Sequence, residues 1–145
     1  MAAETLEKSI SLLYRYAQSY FNMVLSPYNI GSGQYIFLLC LLENDGINQE
    51  QLANIVRVDK TTTARAVAKL IQEGYVTREK SPRDKRAYIL HVTAAAKGLL
   101  KPMQDMQNAW NEELFQGFSP AEKKQTEELI SRLTANVLRS EQEIY

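Results

Sequence analysis

Apolar residues recur at steps of three and four from the start of the chain. Leu6, Ile10, Leu13, Ala17, Tyr20 and Val24 follow this spacing and predict one amphipathic helix over residues 5–24. Ser26-Pro27-Tyr28-Asn29 ends it, because proline disfavours helical backbone at the residue before it. After Gly31-Ser32-Gly33, the run from Tyr35 to Leu42 is almost wholly apolar, too dense for a surface helix, so the second helix is expected to be central and buried. Cys40 lies in that run and reads as a small core residue, since a reactive thiolate needs exposure and positive neighbours. Asn44-Asp45-Gly46 makes a turn. A short helix opening near Asn48 would put Leu52, Ile55 and Val56 on one face. Arg57-Val58-Asp59 interrupts it, and Asp59 suits the N-cap of a helix over about 60–73 that Gly74 stops. In that helix Ala64, Val67, Leu70 and Ile71 would face inward, with Lys60, Thr61, Thr62, Arg65 and Lys69 on or near the other side.

From Tyr75 the helical period is lost. Residues 75–80 and 87–92 read as strands joined by the polar turn Ser81-Pro82-Arg83-Asp84-Lys85-Arg86, a β-hairpin with a basic tip. Thr93 caps the next helix, which carries Leu99, Met103, Met106, Trp110 and Leu114 and ends at Gly117. Ser119-Pro120-Ala121-Glu122 opens the last helix with a capping-box pattern and proline at the first helical position. The last helix presents Leu129, Leu133 and Val137. The expected fold is mainly α with one small β-hairpin.

Composition narrows the function. The chain has 145 residues, enough for one domain, with 17 basic and 17 acidic residues. That balance is uneven along the chain. Residues 50–92 hold nine basic and five acidic side chains, a net +4, while the flanks hold eight and twelve, a net −4. A basic middle between acidic ends suggests a polyanion-binding module carried by other elements. A single cysteine excludes an internal disulfide, and a single histidine excludes most metal cages. Any Ser-His-Asp or Cys-His enzyme would have to use His91. No phosphate-binding glycine loop is present, so neither an enzyme nor a cofactor is expected. The charged N-terminus lacks the apolar core of a signal peptide, no apolar run reaches the ~18 residues of a membrane span, and a cytoplasmic location is the default expectation.

Residues 48–73 fit a helix-turn-helix, whose second helix sets its N-terminal residues against base edges in the major groove. Lys60, Thr61, Thr62 and Thr63 open that second helix. Three consecutive threonines are poor helix formers, but their hydroxyls can serve phosphates or bases and their methyls can touch thymine. The alternative is that they help to cap the helix. Arg65, one turn further in, could reach phosphate or guanine, and Lys69 could do so more weakly; surface ion pairs are the competing reading for both.

The run Asp59 to Val76, with Arg78, Ser81 to Arg86 and Leu90-His91-Val92-Thr93, resembles the recognition helix, wing and following strand of the multiple-antibiotic-resistance regulator (MarR) family. The resemblance extends over nearly the whole chain. It implies one domain over residues 1–145, with a winged helix-turn-helix lobe at about 31–93 and helices at about 5–24 and 94–142 forming a dimerisation region. It also implies a homodimer on double-stranded DNA, acting as a transcriptional regulator, most often a repressor, on a pseudo-palindromic operator. By this resemblance Arg83 is the wing residue that enters the minor groove, and Asp84 and Arg86 brace the wing; as a cation beside Arg83, Lys85 suits phosphate. Ser81 departs from the family, which often has an acidic residue there.

The resemblance further implies a small effector between the DNA-binding lobe and the dimer helices. Arg15 has no acidic residue three or four positions away on its own helix. One reading makes it an ion pair with another element, or an exposed head on a packed stem. The other makes it the anchor for an aromatic or otherwise anionic effector, with Tyr14, Tyr35 and His91 beside it. A winged-helix protein-interaction module without DNA binding is the alternative function, but it would carry a neutral or acidic second helix and wing tip.

Overall fold

The computed structural model describes residues 5–144. Among them, seven helices and one hairpin follow in order: α1 (Leu6–Leu25), α2 (Ser32–Glu43), α3 (Gln49–Val56), α4 (Lys60–Gln72), β1 (Val76–Lys80), β2 (Tyr88–Val92), α5 (Ala94–Lys97), α6 (Leu100–Leu114) and α7 (Pro120–Ile144). A 3₁₀ turn, Ser26–Tyr28, closes α1 at the proline. The strands pair antiparallel, from Val76 opposite Val92 to Lys80 opposite Tyr88, and Asn48 bridges to Ile89 on the other side of β2.

The chain divides into two compact units, one up to Gln107 and one from Asn108. In the first, α2 is the central element, as its unbroken apolar run predicts. Leu38 and Leu41 of α2 are fully buried with Leu25, Leu52, Leu70 and Leu90, and Met103 and Met106 of α6 join the same cluster. Helix α1 also packs on α2 within this unit. Burial pushes the Cys40 thiol up, in keeping with a core position. Leu38→Ala is expected to cost about 2–5 kcal/mol, because its neighbours cannot fully close the cavity left behind. A urea midpoint lowered at constant m-value is the sign of this; an unchanged midpoint would place Leu38 outside the core.

Three expectations change. The helix predicted from Thr93 to Gly117 is two helices, with a break at Gly98 and Leu99. Pro102 supplies no N–H for the Gly98 carbonyl, and its ring would collide with that carbonyl in a continuous helix. Proline is therefore accommodated in the first turn of α6 instead. In α4, Ala66 is buried where Ala64 was expected to be, with Ala64 and Ile71 only partly covered. In α3, Ala53 is buried beside Leu52, while Ile55 faces out at 52% exposure.

The second unit comprises the end of α6 and α7. Gly117, at φ +83°, reverses the chain where a side chain would be strained. Phe115 and Phe118 meet edge to face at 5.4 Å. The predicted capping box is present: Ser119 N–H donates to the Glu122 carboxylate (2.9 Å), and Glu122 N–H to Ser119 Oγ (3.1 Å). Leu129, Ile130, Leu133 and Val137 of α7 are exposed.

Candidate nucleic-acid interface

Helix α3 ends on a non-glycine residue in the left-handed region, Arg57 at φ +61°, whose N–H donates to the Ala53 carbonyl. This reversal sets the sharp turn into α4. Asp59 then caps α4. Its carboxylate accepts from Thr62 N–H (2.8 Å) and from the Thr62 hydroxyl (2.8 Å), and its carbonyl accepts from the Thr63 hydroxyl (2.8 Å). Thr63 is fully buried.

The three threonines therefore part company. Thr63 is an internal strut, so its expected outward role is corrected. Thr62 lies at the surface with its hydroxyl committed to the cap. Thr61 alone has an exposed hydroxyl that no hydrogen bond engages among the described residues. Thr61, Arg65, Ala68 and Gln72 are all exposed and follow each other at steps of four, three and four, which places them on one stripe of α4. Ala68 and Gln72 escaped the sequence reading, although the same periodicity that selects the core marks them. Lys60 is highly exposed, with its ammonium 3.9 Å from the Glu50 carboxylate. Lys69 is held by Glu73 at 3.1 Å and is partly buried, so the ion-pair reading applies to it.

Asp59 is held below the usual aspartate range, chiefly by the Thr62 N–H and then by the Thr62 hydroxyl. A depressed carboxyl stabilises the fold above its unfolded pKa and loses that contribution as pH falls through its folded value. Asp59→Asn, which can keep the cap without the charge, is expected to flatten the acid limb of stability as pH falls through and below the ordinary aspartate range. Urea titrations across that range check this; parallel acid limbs in the two proteins would show that the charge contributes nothing.

The wing is organised from its backbone outward. Ser81 Oγ accepts from the N–H groups of Arg83 (3.3 Å) and Asp84 (3.4 Å), and the Asp84 carboxylate accepts from Arg86 N–H (2.9 Å). Ser81 N–H donates to the Ala87 carbonyl at 3.0 Å and closes the tip. A neutral hydroxyl thus receives the tip N–H groups, leaving Asp84 as the one acidic residue in the turn from Ser81 to Arg86. Arg83, Lys85 and Arg86 are exposed, and their side chains form no ion pair among the described residues. On the strands, the Arg78 guanidinium lies 4.8 Å from the centroid of the Tyr88 ring.

The four residues expected around an effector do not meet. Tyr14 and Tyr35 line one cavity of about 600 Å³ between α1, α2 and the start of α4. Arg15 opens onto a different groove, with Glu7, Lys8, Ser11 and Leu12, and its Nε donates to the Ser11 carbonyl at 3.4 Å along its own helix. His91 is part of the wing base, 3.3 Å from the Glu79 carboxylate and 3.7 Å from that of Asp45. Asp45 also accepts from Val92 N–H at 2.9 Å and so pins the α2–α3 turn to β2. Tyr14 and Arg15 are neighbours in sequence but line different grooves, and the wing base that holds His91 lies on β2, a placement that no local pattern encodes.

A short helix, a sharp turn, a second capped helix and a hairpin packed beside it define a winged helix-turn-helix unit. Residues 30–88 match the model of the MarR family. The HTH-type transcriptional regulator YybA of Bacillus subtilis is 30% identical over 132 residues, spanning 91% of this chain and 88% of that protein. Among solved structures, a MarR transcriptional regulator from Methanosarcina mazei is 40% identical with a TM-score of 0.87, covering 92% of this chain and 96% of that one. A MarR family regulator from Listeria monocytogenes, solved in complex with a 26mer DNA, is 25% identical with a TM-score of 0.85, covering 95% and 92%. The chain belongs to the MarR family of transcriptional regulators. No described helix is long and apolar enough to cross a membrane.

Proposed function

We propose that the protein is a ligand-responsive repressor that binds a pseudo-palindromic operator as a homodimer. The reading rests chiefly on one observation: the exposed stripe of α4, with Lys60, Thr61 and Arg65, has a basic wing beyond it whose Arg83, Lys85 and Arg86 are uncommitted. In this reading Arg65 reads base edges in the major groove. Arg83 enters a narrow minor groove, where negative potential is concentrated, Lys85 serves phosphate, and Arg86 braces the wing with Asp84. Asp84 and Ser81 act through the wing backbone. The winged lobe at 31–93 is the reading head, and α1 with residues 94–142 forms the dimerisation region.

Two surfaces support a second copy as the partner. Leu6, Ile10 and Leu13 of α1 are exposed at 46–61%, and Leu129, Ile130, Leu133 and Val137 of α7 at 43–68%. Contiguous apolar stripes of this kind are normally covered, and a second copy related by a two-fold axis is the partner proposed here. A protein-interaction module without DNA binding would leave the basic wing without a role.

Footprinting on duplex DNA from upstream of the protein's own gene tests the proposal. The expected footprint has two half-sites about one helical turn apart, ~10 bp centre to centre. Equal affinity for that duplex and for random DNA would overturn it.

A further inference from the structure

We propose that His91 is a wing-positioning residue that works as a proton-operated clamp, holding the hairpin against the α2–α3 turn more firmly below neutral pH than above it. Its consequence for DNA rests on the DNA-binding reading above, but the clamp itself is read without DNA. A two-stranded hairpin is marginal alone, so the direction of this wing depends on what holds its base. The α2–α3 turn does this by running along the edge of β2 away from β1. Gly46 N–H donates to the Leu90 carbonyl (3.0 Å), Leu90 N–H to the Ile47 carbonyl (2.9 Å), and Val92 N–H to the Asp45 carboxylate (2.9 Å).

His91 stands astride this joint. Its Nε2 lies 3.3 Å from the Glu79 carboxylate on β1, and its Nδ1 lies 3.7 Å from the Asp45 oxygen that already accepts from Val92 N–H. The ring lies beside Gly46, where a Cβ would come 3.7 Å from Cε1. Both ring nitrogens thus face carboxylates. A neutral imidazole has one N–H and turns a lone pair toward the other carboxylate, whereas the imidazolium offers a donor to each. Protonation therefore joins β1, β2 and the turn through one ring. Its loss leaves two carboxylates with one donor between them.

The surrounding charges do not replace it. Arg78 and Lys80 alternate with Thr77 and Glu79 along β1, and the register puts them on the other face of the hairpin, with Tyr88 and Leu90. Glu43 of α2 and Lys97 of α5 line a groove with Asp45 and Val92 that His91 does not line. In α3, Glu50 pairs with Lys60, and in α4 Lys69 pairs with Glu73. Among the described residues, no other cation forms an ion pair with Glu79 or Asp45. His91 is the only histidine of the chain, and it is partly exposed, so a proton reaches it from solvent without unfolding. Arg83 and Lys85 lie at the far end of the same hairpin, and fixing its base narrows the range of positions they sample. DNA affinity rises to the extent that the bound wing prefers the clamped setting.

The test is amide hydrogen exchange of the full-length protein without DNA at about pH 7.5 and about pH 5.5, either side of the ordinary imidazole range. It is read as protection factors, so that the intrinsic pH dependence of exchange cancels. Protection at Leu90 and Val92 is expected to rise at least about threefold at the lower pH, a rise that shrinks in Glu79→Gln and vanishes in His91→Gln. No rise in the parent chain, or a rise that survives in His91→Gln, would overturn the clamp. Operator titrations at the same two pH values read the consequence. Affinity is expected to be at least about threefold higher at the lower pH, with the salt slope unchanged, and His91→Gln should lose the difference. A salt slope steeper by about one unit at the lower pH would make His91 a direct phosphate contact and overturn the positioning role. A measurable operator affinity that stays the same at both pH values would overturn it too. A protein whose wing protection responds to pH but that binds no operator at either pH would refute the regulator reading and leave the clamp standing.

Discussion

Arg65→Ala is expected to weaken operator binding by about 1–3 kcal/mol in each half-site and to relax base preference at the position it reads. A symmetric dimer carries the change twice, so the summed loss is about 2–6 kcal/mol, with each ~1.4 kcal/mol worth tenfold in the dissociation constant. Arg65 sits one turn into α4 on the exposed stripe, and its side chain has no ion pair among the described residues. Its guanidinium can therefore present two parallel donors to a guanine edge without first breaking another contact. Lys85→Ala is the contrasting case. A phosphate contact is indifferent to sequence, so its loss should weaken all duplexes alike and lower the salt slope by about one unit. Titrations of both variants against operator and single-base variants, at several salt concentrations, separate the two effects. If Arg65→Ala changed affinity equally for every sequence, Arg65 would be a phosphate contact and not a reader of bases.

The second large effect is expected from Leu133→Asp in α7. Leu133 is 43% exposed in the chain, in a stripe with Leu129, Ile130 and Val137. A carboxylate there costs the isolated chain little, but at a buried two-fold interface it would have to be taken out of water. If α7 forms the proposed interface, sedimentation should show a dimer for the parent chain and a monomer for the variant at micromolar concentration. Operator affinity should then fall by about 10²–10⁴, because the second half-site is no longer bound at high effective concentration. A variant that remains dimeric would place the interface elsewhere, and one that is monomeric but binds the operator as tightly as before would remove the need for a dimer.

Much of the fold can be read from local signals because those signals are chemically explicit. Asp59, Thr93 and Ser119 each cap a helix as their side chains predict, with Thr93 accepting from Ala96 N–H at 3.3 Å. The strand register is fixed by the turn that Ser81 N–H closes on the Ala87 carbonyl at 3.0 Å. Misreadings arose where two residues of one type sit in different environments. Thr61, Thr62 and Thr63 are identical in sequence, yet the helical rotation of about 100° per residue sends one outward, one to the cap and one into the core. Pro102 was legible in principle, since a proline four residues after a glycine marks a weak point in any helix, but the apolar period running through it dominated the reading. The position of His91 beside Asp45 depends on the α2–α3 turn folding back on β2, a contact between residues far apart in sequence that no local pattern encodes.

The buried Thr63 hydroxyl bears on how the protein can evolve. Two of the first four positions of α4, Thr62 and Thr63, are tied to Asp59, so changing them alters the helix start before it alters what is read. Within α4, new operator preferences can then be explored cheaply at Lys60, Thr61, Arg65, Ala68 and Gln72. Ala68 offers the most room, because any side chain larger than a methyl adds reach without removing an existing contact. A library randomised at these five positions, with Asp59, Thr62 and Thr63 held fixed, should yield mostly folded proteins with diverse operators, whereas randomising 59, 62 and 63 should yield mostly loss of folding.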